Sequence, residues 1–342
     1  MAGVITIVFF LFNILPGDPA RMMLGQRADV SSIENINREL GRDKGLPVQF
    51  LMYLNDLLPV SFHNVEDEKS SWYASEQKYG KMYTAIPLGN HAVKFKTPYL
   101  RRSYQTSQKV SEVIAEALPG TIILAFASLL FATVVGIFLG VISALKKSKF
   151  TDHLISMLAV VGMAVPSFFA GIIIAWFFGF VLADYTGLNM TGSLYRIDPF
   201  EGVILEWKNL ILPAFTLGIR PLSVIVQLTR SSMLDVLSQD YVRTAKAKGL
   251  SKGIIVFRHA LRNALNPVLT AVSGWFGSLL AGAVFIEYIF GWKGIGKVTV
   301  DSLERYDFPV VMGAVLVVSI FFIIINIVVD ILYGVLDPRV RI

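Results

Sequence analysis

Cysteine is absent from this 342-residue chain. A disulfide framework and a cysteine-based metal site are therefore both excluded. Histidine is nearly absent: His63, His91, His153 and His259 are far apart and show no metal-ligand spacing. Neither H-E-x-x-H nor G-x-S-x-G occurs. No metal, cofactor or catalytic residue is expected, and no nucleic-acid partner. Charge is also scarce, at 16% of residues against about 25% in a soluble domain. It is missing altogether from Ala117 to Leu145 and from Leu154 to Ala183. Uncharged apolar runs beyond about 18 residues are transmembrane signals, because they match a bilayer core of about 30 Å. Buried helices of a large soluble protein are the alternative, and a mean hydropathy of +0.60 speaks against them.

Hydrophobic residues make up 54% of the chain. They fall into six runs, at about 2–15, 118–145, 154–183, 210–229, 267–290 and 310–334. The expected fold is an all-α integral membrane protein with six transmembrane helices. Residues 1–16 form the first helix and residues 117–342 a core with five more. Between them, 17–116 is polar and mixed, with Trp72 and several tyrosines, so it is expected to be a folded element outside the membrane. The first helix has about 14 residues before Pro16, roughly 21 Å at 1.5 Å per residue, short of the bilayer core. It lacks the charged start and small-residue cleavage site of a signal peptide. A start truncated from a longer helix is the expectation.

Lysine and arginine in short loops set orientation. One set of loops holds Lys146, Lys147 and Lys149, then Arg230, Arg243, Lys246, Lys248, Lys252, Arg258 and Arg262, then Arg339 and Arg341. The opposite set holds only Arg196, Lys208, Lys293, Lys297 and Arg305. The richer set is read as cytoplasmic, with both termini inside. The 17–116 segment goes outside, since long loops translocate largely regardless of charge.

Several motifs compete for a functional reading. Gly291-Trp-Lys-Gly-Ile-Gly296-Lys297 matches phosphate-loop spacing, but Val298 stands where the metal-binding hydroxyl belongs, and the string follows an apolar helix instead of a strand. A glycine-rich bend with Trp292 at the membrane interface fits better. Arg220 sits mid-span beside Pro221. It either lines a substrate path and meets a carboxylate or carbonyl, or snorkels to the outer interface. Glu287, near the outer end of the fifth span, is similarly ambiguous. Small residues recur every four positions at Ala132, Gly136, Gly140 and Ala144, at Ser273, Gly277 and Ala281, and at Gly274, Ser278 and Gly282. Such stripes let helices approach closely, so the fifth span is expected to be packed on two faces.

The fourth and fifth spans enclose Asp240-Tyr-Val-Arg-Thr-Ala-Lys-Ala-Lys-Gly-Leu250. It reads as a short basic helix with Tyr241, Thr244, Ala245 and Lys248 on roughly one face and Gly249 as its C-terminal cap. A positively charged loop resting on lipid headgroups explains the charge. Docking into a partner's groove also explains the helical run.

These residues resemble the EAA loop of binding-protein-dependent ABC importer permeases. Ala245, Gly249 and Leu261 fall in register with that pattern, while Arg243 stands where it has Glu and Arg262 where it has Pro. The stretches 228–233, 239–250 and 257–265 are similar to the peptide/nickel (oligopeptide/dipeptide) subfamily's own form of the loop. So are Leu15-Pro-Gly-Asp-Pro19, Gly45-Leu-Pro-Val-Gln-Phe50, Val113–Pro119, Gly291–Gly296, Tyr306-Asp-Phe-Pro309 and Asp337-Pro-Arg339. Residues of about 59–97 look like an insertion, and the long outer loop suggests the B-type subunit.

The resemblance implies a bacterial inner-membrane permease without an ATP site of its own. It would pair with a second, C-type permease to form the path for peptides or a related small solute. A cytoplasmic coupling helix, carrying Asp240, Tyr241, Arg243, Thr244, Ala245, Lys246, Lys248, Gly249 and Leu250, would meet one of two cytoplasmic ATPase subunits. An extracytoplasmic binding protein would deliver the substrate. A secondary transporter or channel would call for paired intramembrane acids or inverted repeats, and neither is found. An intramembrane enzyme would need a His, Ser or Asp cluster at membrane depth, which the scattered histidines do not supply.

Overall fold

The computed structural model describes residues 1–14, 43–67 and 70–336. The Leu15–Pro19 and Asp337–Arg339 motifs lie outside the described residues. In chain order come α1 (Ala2–Ile14), α2 (Leu46–Leu57), β1 (Val60–Asn64), α3 (Glu76–Tyr79), β2 (Tyr83–Leu88) and β3 (His91–Phe95). Then follow α4 (Val110–Leu145), α5 (Phe150–Ala164), α6 (Ser167–Val181), α7 (Ala183–Thr186), and β4 (Tyr195–Asp198) paired with β5 (Gly202–Leu205). The chain ends with α8 (Lys208–Leu237), α9 (Asp240–Ala247), α10 (Lys252–Ile289), α11 (Ile295–Glu304) and α12 (Phe308–Leu336).

Helices α4, α8, α10 and α12 are each long and apolar enough to cross a membrane. Helices α5 and α6 qualify only as a pair, bent by 110°. The sequence reading of one unbroken third span over 154–183 is thus corrected. Pro166 is the cause: a residue before proline is driven out of the helical region, and Val165 sits at φ −74°, ψ 128°. The prolines of α8, Pro213 and Pro221, leave that helix continuous.

The protein is mostly helical, and two small antiparallel sheets amend the all-α expectation. Alternation in Val-Ser-Phe-His-Asn (60–64) and His-Ala-Val-Lys-Phe (91–95) is a strand signal the hydropathy runs conceal. Gly89, at φ 63°, opens the two-residue turn joining β2 and β3, where a II′ hairpin wants glycine.

The chain divides into two compact units. The first comprises Met1–Glu116 and Val298–Ser319. Its apolar core joins Val8 and Phe9 of α1, Tyr53 of α2, Tyr104, and Phe308, Val311, Met312 and Leu316 of α12. Buried Asp307 accepts hydrogen bonds from the Ser103 hydroxyl (2.5 Å) and the Tyr104 N–H (2.9 Å), which ties the segment before α4 to the start of α12. Buried Asp56 accepts from the Tyr79 hydroxyl at 2.8 Å and faces Lys78 at 3.4 Å and Arg101 at 3.5 Å. Lys96 donates to the Asp56 carbonyl, and burial pushes its ammonium down to about 8 against the pull of Asp56. His63, under the sheet, is held down to about 4, chiefly by burial.

The second unit, Ala117–Lys297 with Ile320–Ile342, is built on α4, α8 and α10. The Gly136 and Gly140 positions of α4 meet Ile225 and Thr229 of α8 so closely that a side chain on either glycine would collide. The expected stripe on α4 therefore carries a helix contact. On α10 the two expected stripes differ among the described residues: Gly277 abuts Phe322, whereas nothing described lies within 4 Å of a Cβ built on Gly274 or Gly282.

Candidate functional site: a clamped basic helix between two spans

Helix α8 leaves the apolar core at Arg230. This guanidinium meets buried Asp152 of α5 through two hydrogen bonds, Nε to Oδ1 at 2.7 Å and Nη2 to Oδ2 at 2.9 Å. The same carboxylate accepts from the Ser143 hydroxyl of α4 (2.5 Å) and from the Ser148 N–H (2.9 Å). One buried anion thus joins α4, the loop after it, α5 and α8, with its lone pairs filled. Fork-on-fork geometry of this kind fixes orientation as well as charge. Arg230, counted in the sequence as loop charge, is part of this ion pair.

Two turns further on, the chain turns at Ser238 and Gln239 and enters α9. Val242 and Ala245 are buried, packed with Ile255 against Val236 and Leu237. Asp240, Tyr241, Arg243, Thr244, Lys246, Lys248, Gly249 and Leu250 are exposed. Arg243 pairs with Asp240 at 3.3 Å, and the Thr244 hydroxyl donates to the Asp240 carbonyl. The Tyr241 hydroxyl accepts from the Asn263 amide of α10 at 2.8 Å, a second tether. Gly249 ends the helix at φ 74°. Its N–H bonds to the Lys246 carbonyl and the Leu250 N–H to that of Ala245, the paired bonds of a Schellman cap.

The grouping of Ala245 with Tyr241, Thr244 and Lys248 is corrected by this geometry. Ala245 belongs to the inward face with Val242, and the outward face is polar and cationic. Sequence reasoning missed Val242, Asn263 and the Asp152–Arg230 pair. An Asp two residues before an apolar run, among the basic residues of the preceding loop, was the available signal for the pair. Beyond α9, α10 begins with a π-helical turn over Ile255–Ala260, a feature common at functional sites. Arg220, in the middle of α8, is exposed and has no hydrogen-bond or ion-pair partner among the described residues.

The phosphate-loop-like string does open a helix, and its anion comes from the chain. The Glu287 carboxylate, fully buried, accepts from the N–H groups of Gly296 (2.7 Å) and Lys297 (3.2 Å) at the start of α11. That is the helix end where negative charge is favoured. Side chains at Gly294 or Gly296 would collide with Glu287. Neither Lys293 nor Arg220 pairs with Glu287. Trp292, expected at the membrane interface, is fully buried and donates from its indole N–H to the Gly120 carbonyl at 2.9 Å.

Several apolar helices and a braced basic helix between two of them define a multi-pass membrane protein with a polar face offered outward. The family described as "Binding-protein-dependent transport system inner membrane component" matches residues 136–342, and its N-terminal companion matches residues 2–69. The chain belongs to this family and is the membrane permease of a binding-protein-dependent ABC importer. It is 38% identical to the di/tripeptide transport system permease protein DppB of Pseudomonas aeruginosa, over 99% of this chain and 94% of that one. It is 36% identical to the probable D,D-dipeptide permease DdpB of Escherichia coli (99% and 93%), and 34% to the glutathione permease GsiC of Salmonella paratyphi A (99% and 94%). An inward-facing structure of the MetNI methionine ABC transporter superposes with a TM-score of 0.52 at 14% identity, over 66% of this chain and 97% of that one. That likeness is one of fold.

Proposed function

We propose that the chain forms half of a translocation path for di- or tripeptides or a similar small peptide, and that α9 is the surface through which ATPase subunits drive it. The observation that carries the coupling role is the construction of α9. Its inner face is anchored by Val242 and Ala245, its end is capped at Gly249, and its base is clamped through Arg230, yet of its outward cations only Arg243 has an ion-pair partner among the described residues, Asp240. A helix built only to satisfy the positive-inside rule needs no such bracing. In this reading α1 is the first of six spans and the bent α5–α6 pair the third. Both termini are cytoplasmic, and 17–116 is extracytoplasmic. A C-type permease covers the uncovered Gly274–Ser278–Gly282 stripe of α10, and a binding protein docks outside. The relatives that transport dipeptides and glutathione support a peptide substrate.

Arg220 fits this scheme as a path residue. It lies about 18 Å along α8 from Lys208 at 1.5 Å per residue, and a guanidinium at such depth is costly unless water or a partner meets it. A path that carries peptide carboxylates and carbonyls supplies both. The test uses the assembled transporter with its binding protein in liposomes. Di- and tripeptides should raise ATP hydrolysis, and reversing the charge of Arg243 and Lys246 together should abolish the rise while α9 stays folded. Stimulation that survives the reversal would remove α9 from the coupling role. Stimulation by a non-peptide solute alone would remove the peptide assignment.

A further inference from the structure

The sheet of the first unit has closed edges and one open face. Its strand order is β1-β3-β2. Along the outer edge of β1, the Asn55 side chain of α2 accepts from the Phe62 N–H at 2.7 Å and donates to the Phe62 carbonyl at 3.0 Å, as a neighbouring strand would. On β2, a register shift between Thr84 and Ile86, together with Pro87, interrupts the edge. Bulges and proline are how sheets prevent edge pairing. One face is packed: Ser61, His63 and Ala92 are buried. The other carries Val60, Phe95 and Tyr83 in one cross-strand row and Phe62, Val93 and Ile86 in the next. Phe62, Tyr83, Ile86 and Phe95 are between 43% and 70% exposed.

The open face continues an apolar surface that starts on a membrane helix. Val8 and Phe9 of α1 pack against the first turns of α12, which is apolar enough to span a bilayer. Helix α1 also exposes Ile7, Phe10 and Leu11. Phe10 stacks on Phe50 of α2 at 6.1 Å. Helix α2 in turn exposes Val48 and Leu51, spaced so that they share a side with Asn55. Asn55 bonds to the Phe62 backbone, so the α2 stripe meets the sheet at the outer edge of β1. Exposed apolar surface of this extent marks a site of contact, and this surface is anchored beside the N-terminal end of a span.

We propose that α2 and the open sheet face rest on the outer leaflet, with Leu51, Phe62, Ile86 and Phe95 entering the boundary between headgroups and acyl chains. The partner is lipid. A helix with one apolar side lying in the interface plane is a known mode of membrane attachment. Here a sheet extends it, and Tyr83 is of the type enriched at that depth. The segment would then form a foot that fixes the height of the extracytoplasmic element above the bilayer, which goes beyond the transport role while resting on the reading of α12 as a span.

Because the chain has no cysteine, single spin labels report cleanly. Labels at Phe62→Cys and Ile86→Cys are compared with Val134→Cys, exposed on α4, and with Glu66→Cys, exposed in the loop after β1. The sample is the assembled transporter, with cysteine-free partners, in liposomes. Collision with oxygen should exceed collision with a water-soluble nickel chelate at Phe62 and Ile86, at a depth shallower than Val134, while Glu66 favours the chelate. Chelate-dominated collision at Phe62 and Ile86 overturns the proposal, whether or not adding the binding protein then shields them. If Val134 also favours the chelate, the spanning assignment itself fails, and that outcome is distinct from failure of the foot alone.

Discussion

At the scale of single residues, burial and partner count decide which groups matter. His63 sits beneath the sheet, with Nε2 2.9 Å from the Ser61 hydroxyl and Nδ1 3.3 Å from the Trp72 carbonyl. A neutral imidazole satisfies both, accepting at one nitrogen and donating at the other. Burial holds its titration down to about 4 from an ordinary 6.5. Between those values the unfolded chain binds a proton that the folded chain refuses. Folding stability is therefore full above about 6.5 and falls as pH drops towards 4. Limited proteolysis of the outer element across that range should show the loss, and His63→Gln should flatten it. A pH-independent cleavage rate in the native protein would contradict the assignment. Arg220 is the opposite case, an exposed cation with no hydrogen-bond or ion-pair partner among the described residues. Arg220→Gln is expected to lower peptide uptake roughly tenfold, about 1.4 kcal/mol of lost interaction, while basal ATP hydrolysis and assembly persist. Unchanged uptake would assign Arg220 to the lipid interface.

At the scale of elements, the cap and the clamp around α9 set separate expectations. Gly249 holds φ 74°, where a Cβ is unfavourable. Gly249→Ala should cost about 1 kcal/mol, seen as faster amide exchange at Val242 and Ala245 with little change elsewhere. The Asp152–Arg230 pair is more deeply set. Asp152→Asn leaves a guanidinium without its anion and should cost about 3 kcal/mol. An Asp152→Asn, Arg230→Met double variant should recover part of that, because removing both charges leaves neither orphaned. A thermal-unfolding double-mutant cycle reads the coupling directly, and simple additivity would show the pair to be energetically idle. Much of this element architecture was legible beforehand. The long apolar runs give α4, α8, α10 and α12, and glycine after a basic run gives the end of α9. The break in the third span was present in the sequence as Pro166, but a hydropathy window averages over one residue. The strands were concealed for a related reason: short alternating runs have no hydropathy peak.

At the scale of the whole molecule, orientation is the property with the clearest test. In the topology proposed above from the Lys/Arg-rich loops, α9 is inside and the element over 17–116 lies on the far side of the membrane. Cysteines at Glu66 and at Lys248 should react from opposite sides of sealed vesicles with a membrane-impermeant thiol reagent. Reaction of both from one side would refute the topology. The candidate site spans both kinds of legibility. Its cations and its glycine are readable because charge and backbone preference are local properties. Which residues face inward is not readable: Val242 and Ala245 are buried because Ile255, from the next helix, packs on them.

The sequence by itself determined that this chain belongs in a membrane, which loops carry its positive charge, and that a basic helix lies between two spans. Those follow from hydropathy, charge count and local propensity, each summed along neighbouring residues. Only the tertiary structure decided that Asp152 gathers α4, α5 and α8 around one carboxylate, and that Glu287 fills the anion-binding end of α11. It alone decided that one glycine stripe of α10 is packed and the other bare, and that a sheet keeps an apolar face open. Each of these depends on groups far apart in the chain meeting within a few ångströms, and no local pattern encodes such a meeting.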